Sequence, residues 1–491
     1  MDYQEWECFD SEINSRTYTI VGHGPLFGPV TSFSIKRDKD LNLLLESTSA
    51  SNSVLGAPEP AANAVYRPDG NVDFRNISLN GISAVASGII QREYKINLPT
   101  SSTSDSASNT KTQTSIVTSL EWSNAHCNEA TYIMDWIENL SNDFIWPDSD
   151  DVDITETKIR TLGSRTNKIE IPFKTTSLRR SNSCVRLSVG GWDVIIGNSR
   201  YKSSNVKLPG FILYLGLPDK EARSRIRGCL SYCFGDYFVH LGSTTYDQDW
   251  ELVSFHALSA HALVEVAGDI SRRPPAPLGE KYEREVDARL LSSMASGLYA
   301  AYDAYNLRTA FWNYWHAIAA PVHMAAAHFG AAIESLQRAY FKNNENSVSD
   351  RIVVNKDFWK ALHDQINNLI QESSLSSEEK RLLSNKAQHL NSAPQAIVAD
   401  RFFDAIGLTV GNLEKDVWKN RNRAAHGAGV TEERGIQSIR DNKILMTLMN
   451  RIMLSISKSS DCYYDYYTIH RPKRRLAEAV PDDRPTGGGK K

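Results

Sequence analysis

The spacing of apolar residues changes once along this chain, at the run Ser-Arg-Arg-Pro-Pro-Ala-Pro-Leu-Gly, residues 271–279. Before it, apolar residues fall in short segments that alternate or carry β-branched and aromatic side chains, with Gly, Pro and Asn between them: 16–21, 32–36, 41–46, 93–98, 168–173 and 192–196. After it they recur every three or four residues, the period of a helix with one buried stripe. Clustered prolines end helices and stiffen connections, so the run reads as a linker between two structural classes. The expected fold class is α+β: a β-rich N-terminal sensor or regulatory domain over 1–270, then an all-α helical bundle over 311–470. A linker and connecting helix fill 271–310, and a tail rich in Pro, Gly and charge, 471–491, is expected to be disordered.

Within the first part, the Ser/Thr-rich stretch 99–115 has almost no apolar residues and is expected to be a mobile loop between strands. The acidic run 148–153 lacks the central Gly and closing Glu of a calcium loop, so a solvated loop is expected there too. Helical patterns cover 219–232 and 254–266, with a strand near 237–241. In the second part the stripes predict helices over 321–341, from an Asp350 N-cap through 372, after the capping box Ser376-Ser377-Glu378-Glu379, over 396–408, from about 412, and over 432–457.

A chain of 491 residues exceeds one ordinary core, so two or three domains are expected. The net charge of −3 argues against coating nucleic acid along the whole length. From residue 311 onward, 25 Lys and Arg face 20 Asp and Glu, a net of +5 that leaves −8 on the rest, so the C-terminal part is better suited to meet phosphate. The six cysteines form no C-x-x-C pair and read as reduced structural thiols, which with an N-terminus lacking an apolar signal core suggests a cytoplasmic protein. The longest apolar stretch, 310–333, contains Asn313, His316, Pro321, His323 and His328, costly groups in lipid, and reads as buried helix with no membrane association.

The segment with most chemical content is 412–427, Asn-Leu-Glu-Lys-Asp-Val-Trp-Lys-Asn-Arg-Asn-Arg-Ala-Ala-His-Gly. On a helix at about 100° per residue, Leu413, Val417 and Ala424 form a core stripe, and Asn422 and His426 project from the opposite face. Arg421 lies on the flank, within reach of His426, and Gly427 marks a left-handed cap that ends the helix there. The residues alone allow a second reading, in which His426 caps carbonyls while Arg421 and Arg423 pair with Glu414 or Asp416 on the surface.

Arg421-Asn422-x-x-x-His426, in a late helix of a bundle, resembles the R-polar-x-x-x-H signature of the HEPN superfamily. The Tyr464-Asp465-Tyr466 cluster resembles the C-terminal end of its ApeA-like branch, bacterial anti-phage (abortive infection) proteins with a distinct N-terminal domain ahead of a HEPN ribonuclease. The resemblance covers residues 321–467 and implies a metal-independent endoribonuclease with Arg421, His426 and Asn422 as catalytic residues and no cofactor. It also implies RNA as substrate (tRNA foremost), a homodimer through the HEPN domain, and a phage-derived activator acting through the N-terminal domain. RNA supplies its own nucleophile, the 2′-hydroxyl. A His with an ordinary pKa near ~6.5 can then move protons, and a forked guanidinium suits the developing phosphorane. The alternative is a non-catalytic HEPN module for RNA or nucleotide binding, or for dimerisation.

Other constellations carry less. Arg16 and His23 match a looser spacing in a strand-like segment, where the motif has no place. His256 with His261, and His323 with His328, stand five apart, about 140° around a helix, which is wrong for a two-His zinc site. The 487–490 run lacks the strand and helix of a phosphate loop. Glu334 is a candidate to line the same cleft as the motif, against the plainer reading of a solvated helix face, and Trp312, Tyr314 and Trp315 read as core packing.

Overall fold

The computed structural model describes residues 8–21, 26, 28–50, 71–76, 81–97, 110–154, 158–164, 167–172, 179–199, 205–260, 263, 272–344, 349–421 and 432–484. It divides into two compact units: Met1–Pro274 with Leu278–Ala295, and Pro275–Pro277 with Ser296–Lys491. The first is rich in antiparallel sheet and the second is helical, an α+β chain in the expected order.

Two long strands organise the first unit, β5 (Ile82–Asn97) and β6 (Thr110–Asn124), paired along nearly their whole length. On its other edge β6 takes two partners in tandem, β3 (Leu43–Ala50) against 110–117 and β15 (Leu252–Leu258) against 119–123. Ser259 closes the junction: its hydroxyl accepts from Leu43 N at 2.8 Å and donates to Val117 O at 2.6 Å. Beyond β15 the sheet continues through β14 (Val239–Tyr246), β7 (Tyr132–Glu138), β13 (Gly210–Tyr214), β12 (Trp192–Asn198), β11 (Arg179–Val189) and β8 (Asp148–Ile154), ending in β9 (Lys158–Ser164) and β10 (Asn167–Pro172). Beyond β5 lie β4 (Asn71–Asn76) and β1 (Tyr18–Val21), and β2 (Val30–Arg37) pairs with β3. One apolar core, including Leu45, Phe74, Trp122, Trp136, Leu213 and Phe255, runs along one face. Strands β7 and β13 are buried on both faces, because helix α1 (Lys220–Phe234) covers the other side with Ile226, Leu230 and Phe234.

Three local expectations fail here. Residues 252–258 are a strand, not the start of a helix: the backbone is paired on both sides, to β14 and to β6, and that ladder overrides a helix-compatible pattern. The acidic run is β8, held between β11 and β9, with Asp148 buried and accepting from Arg186 N at 3.0 Å. Of the supposed loop 99–115, residues 110–115 belong to β6, and Lys111, Gln113 and Ser115 are buried; both sides of that strand are paired, so polar side chains do not prevent it. The proline run is also packed: Pro274, Pro275, Ala276 and Leu278 are buried.

Helix α2 (Ala288–Ala301), which begins in the first unit and ends in the second, starts on Asp287, whose carboxylate accepts from Leu290 N at 3.0 Å. In the helical unit the apolar stretch 310–333 falls on two helices, α3 (Leu307–Ala319) and α4 (Val322–Asn343), the second close to the expected 321–341; Pro321 has no N–H to continue the first. Tyr314 and Trp315 are core, but Trp312 is half-exposed. Then come α5 (Lys356–Glu372), capped by Asn355 where Asp350 was expected, α6 (Ser377–Gln388) with the expected capping box, α7 (Gln395–Ala405), α8 (Asn412–Asn420) and α9 (Glu432–Ser457). Helix α4 is central, packing on α3, α7 and α9. The chain after Arg471, expected to be disordered, is ordered through Arg484: β17 (Lys473–Arg475) pairs with β16 (Cys462–Tyr464), and Arg474 Nε donates to buried Asp465 at 2.7 Å. No helix among the described residues is long and apolar enough to cross a membrane.

Candidate active site

Helix α8 leads into the motif and is fastened at both ends. At its start, Gly411 N donates to Glu414 Oε2 at 2.8 Å, satisfying a backbone donor that the helix leaves open. The other oxygen of Glu414 forms an ion pair with Arg451 of α9, and both side chains are 0% exposed. Arg451 also donates to Thr409 O at 2.7 Å and Leu476 O at 3.0 Å, and its guanidinium lies 5.1 Å from the centre of the Tyr463 ring. Burial pushes the Glu414 carboxyl up, with Arg451 the main opposing influence. Leu413 and Val417 face the core as expected, and Trp418 joins them.

Arg421 follows the last residue of α8 and keeps helical dihedrals, φ −55° and ψ −33°. Its side chain does not lie on the surface with Glu414 or Asp416. It turns inward, stacks 3.4 Å above the Trp418 ring, donates to Trp418 O at 2.7 Å and forms an ion pair with Glu334 of α4. Asp416 is taken by Arg484 at 2.6 Å instead. Gly330 lies against the turned-in side chain: a Cβ there would stand 3.0 Å from Arg421 Cδ and 3.1 Å from its Nε, and the side chain would have to shift to admit it. The Arg421 side chain is 4% exposed, that of Glu334 24%, and Arg421 Nε is buried without a hydrogen-bond partner among the described residues. Asn422 and His426, with Arg423, Ala424 and Gly427, lie outside the described residues.

Glu334 faces two ways. One oxygen meets Arg421 and the other accepts from Arg338 at 3.1 Å, at the wall of a cavity of about 730 Å³. From α4 the cavity takes Glu334, Gln337, Arg338, Phe341 and Lys342; the rest of its lining comes from residues 349–356 and 392–398. Sequence reasoning weighed Glu334 but missed its neighbours. Their signal was present, because Glu334, Arg338 and Lys342 recur at four-residue spacing on α4 beside its apolar stripe.

The sheet unit buries a separate charge cluster, also missed. Asp135 of β7, fully buried, pairs with Arg223 and Arg227 of α1 and accepts from Tyr214 Oη at 3.0 Å; His240 Nε2 stands 3.7 Å away. Burial raises the Asp135 carboxyl, but Arg227, His240 and Arg223 outweigh it and hold the group well below the usual carboxylate range. Burial, aided by Arg227, brings His240 down to about 4. Two guanidiniums tie α1 to the sheet here, an arrangement with a structural use.

Among the described residues no group of three or more His, Cys, Asp or Glu side chains converges as metal ligands would. No family model, curated protein or solved structure matches the chain.

Proposed function

We propose that the helical unit is a HEPN-type ribonuclease domain and that the chain is a metal-independent endoribonuclease of anti-phage defence, resembling the ApeA-like branch. In this reading His426 takes the proton from a ribose 2′-hydroxyl as its oxygen attacks the adjacent phosphorus. The bond from phosphorus to the 5′-oxygen breaks, that oxygen receives a proton, and a 2′,3′-cyclic phosphate remains upstream. Asn422 orients His426 or the substrate, and Arg421 meets the phosphorane oxygens. Host RNA, with tRNA foremost, is the substrate; the protein acts in the cytoplasm as a homodimer through the helical unit, and the sheet-rich unit responds to a phage-derived activator.

The observation that carries this reading is the state of Arg421. The guanidinium is fixed on Trp418, and its counter-ion Glu334 is the more accessible member of the pair, at the wall of a cation-lined cavity. A phosphate that displaced the Glu334 carboxylate would find the guanidinium already oriented. The burial of Arg421 also favours the second reading, a non-catalytic module in which the pair only holds the end of α8. The two part on one experiment: purified protein incubated with total RNA in excess EDTA. Cleavage leaving 2′,3′-cyclic phosphate ends, and its loss in a folded His426→Ala variant, are expected; equal cleavage by that variant refutes the assignment.

A further inference from the structure

The cavity beside Glu334 has properties that the cleavage reading does not use. Its floor holds Gln337, 1% exposed. Gln395 Nε2 donates to Gln337 Oε1 at 3.2 Å, but Gln337 Nε2 is buried with no hydrogen-bond partner among the described residues. A buried amide donor left open is costly unless something accepts from it. Four cations line the cavity, Arg338, Lys342, Arg351 and Lys356, against two carboxylates, Glu334 and Asp350. Of the four, Arg338 is paired with Glu334, whereas Lys342, Arg351 and Lys356 have no ion-pair partner among the described residues. Phe341, Val354 and Val398 add an apolar wall.

We propose that this cavity binds a phosphate monoester of nucleotide size. The surplus of two positive charges matches a phosphate that carries roughly −1.5 to −2 at neutral pH. Gln337 Nε2 supplies a directed donor to one of its oxygens or to the attached group, and the apolar wall suits a ring. The volume, about 730 Å³, is within the range of sites that enclose an organic ligand, far more than inorganic phosphate fills. The same chemistry has two sources, a free nucleoside monophosphate or the terminal monophosphate of an RNA chain. Because Glu334 is shared, a phosphate that draws Arg338 away from it would leave that carboxylate more fully to Arg421 and couple the cavity to the motif.

Calorimetric titration of the full chain tests this with four probes: inorganic phosphate, nucleoside 5′-monophosphates, the parent nucleosides, and a short 2′-O-methyl RNA with or without a 5′-phosphate. Saturable binding of a monophosphate, or of the 5′-phosphorylated RNA alone, is expected, and which of them binds identifies the source. The double change Lys342→Glu/Lys356→Glu, at two exposed positions, should weaken it at least about tenfold. Gln337→Met should weaken it without lowering the melting temperature of the unliganded chain, since it removes the orphaned donor. A nucleoside that binds as tightly as its monophosphate, no binding by either phosphorylated probe, or full affinity in the charge-reversed variant overturns the proposal. Binding should survive His426→Ala, so a chain that binds but never cleaves RNA retains the cavity assignment and loses the ribonuclease reading.

Discussion

The two ends of α8 are held by the same pair of residue types, glutamate and arginine, in opposite circumstances. At the start, Glu414 and Arg451 are sealed from water, and two backbone carbonyls occupy the remaining guanidinium donors that face them. At the end, Arg421 is buried but Glu334 reaches a cavity; the Nε of each arginine is buried with no hydrogen-bond partner among the described residues, so that feature is common to both ends. A sealed pair can only hold structure, because each charge would be stranded without the other. A pair with one accessible member can exchange that member for a ligand of the same charge. Residue type therefore says little about role; solvent access distinguishes the two.

The largest consequence concerns stability. Glu414→Gln should destabilise the helical unit by about 3–5 kcal/mol, because it leaves the Arg451 charge buried and uncompensated. Urea unfolding followed by circular dichroism measures it, and a loss no greater than that of Glu334→Gln would erase the distinction between the two ends.

A buried carboxyl with no ion-pair partner among the described residues sharpens the contrast. Burial pushes Asp236, in the sheet unit, up to about 7, with the Ser141 N–H at 3.2 Å and the Arg272 charge offsetting it only in part. The folded state therefore keeps a proton that the unfolded chain releases near the ordinary carboxylate value, and stability falls as pH rises through the window from about 4 to about 7. Relative to the parent, Asp236→Asn should gain on the order of 4 kcal/mol across that window and nothing further above it. A difference that is constant with pH would mean that Asp236 is ionised throughout.

Next in size is the open pair itself. Glu334→Gln should cost about 1–2 kcal/mol of stability, since the partner it deserts still donates to Trp418 O. On the proposed function it should preserve RNA cleavage, whereas Arg421→Lys, which cannot supply a bidentate fork, should be severely impaired. Equal cleavage by the two variants would make this end of α8 as purely structural as the other. The smallest effect belongs to the half-exposed pair of Asp416 and Arg484, where Asp416→Asn should change stability by less than about 1 kcal/mol in a thermal melt.

Features governed by a few neighbouring residues were legible in the sequence. The capping box at Ser376, the α9 bounds Glu432–Ser457 and the burial of Leu413 and Val417 follow from side chains within one or two helical turns. The readings that failed depend on remote partners. Residues 252–258 are a strand because β14 and β6 flank them, and the polar stretch 110–115 is a strand because β3 and β5 do. No local pattern shows which segments will be adjacent in a sheet.

The sequence by itself determined the order of the two structural classes, most helix positions of the second, and the residue types of the motif. Only the tertiary structure decided what those residues face. Arg421 and Glu334 are 87 positions apart, and surface pairing with Glu414 or Asp416 was equally compatible with the chain. Two other facts selected the partner: Gly330 left room for the Arg421 side chain, and Arg451 and Arg484 had already taken the nearer carboxylates. Propensity and capping act within a turn or two of chain, whereas charge pairing and cavity formation depend on which side chains packing brings within a few ångströms, and that depends on the whole fold.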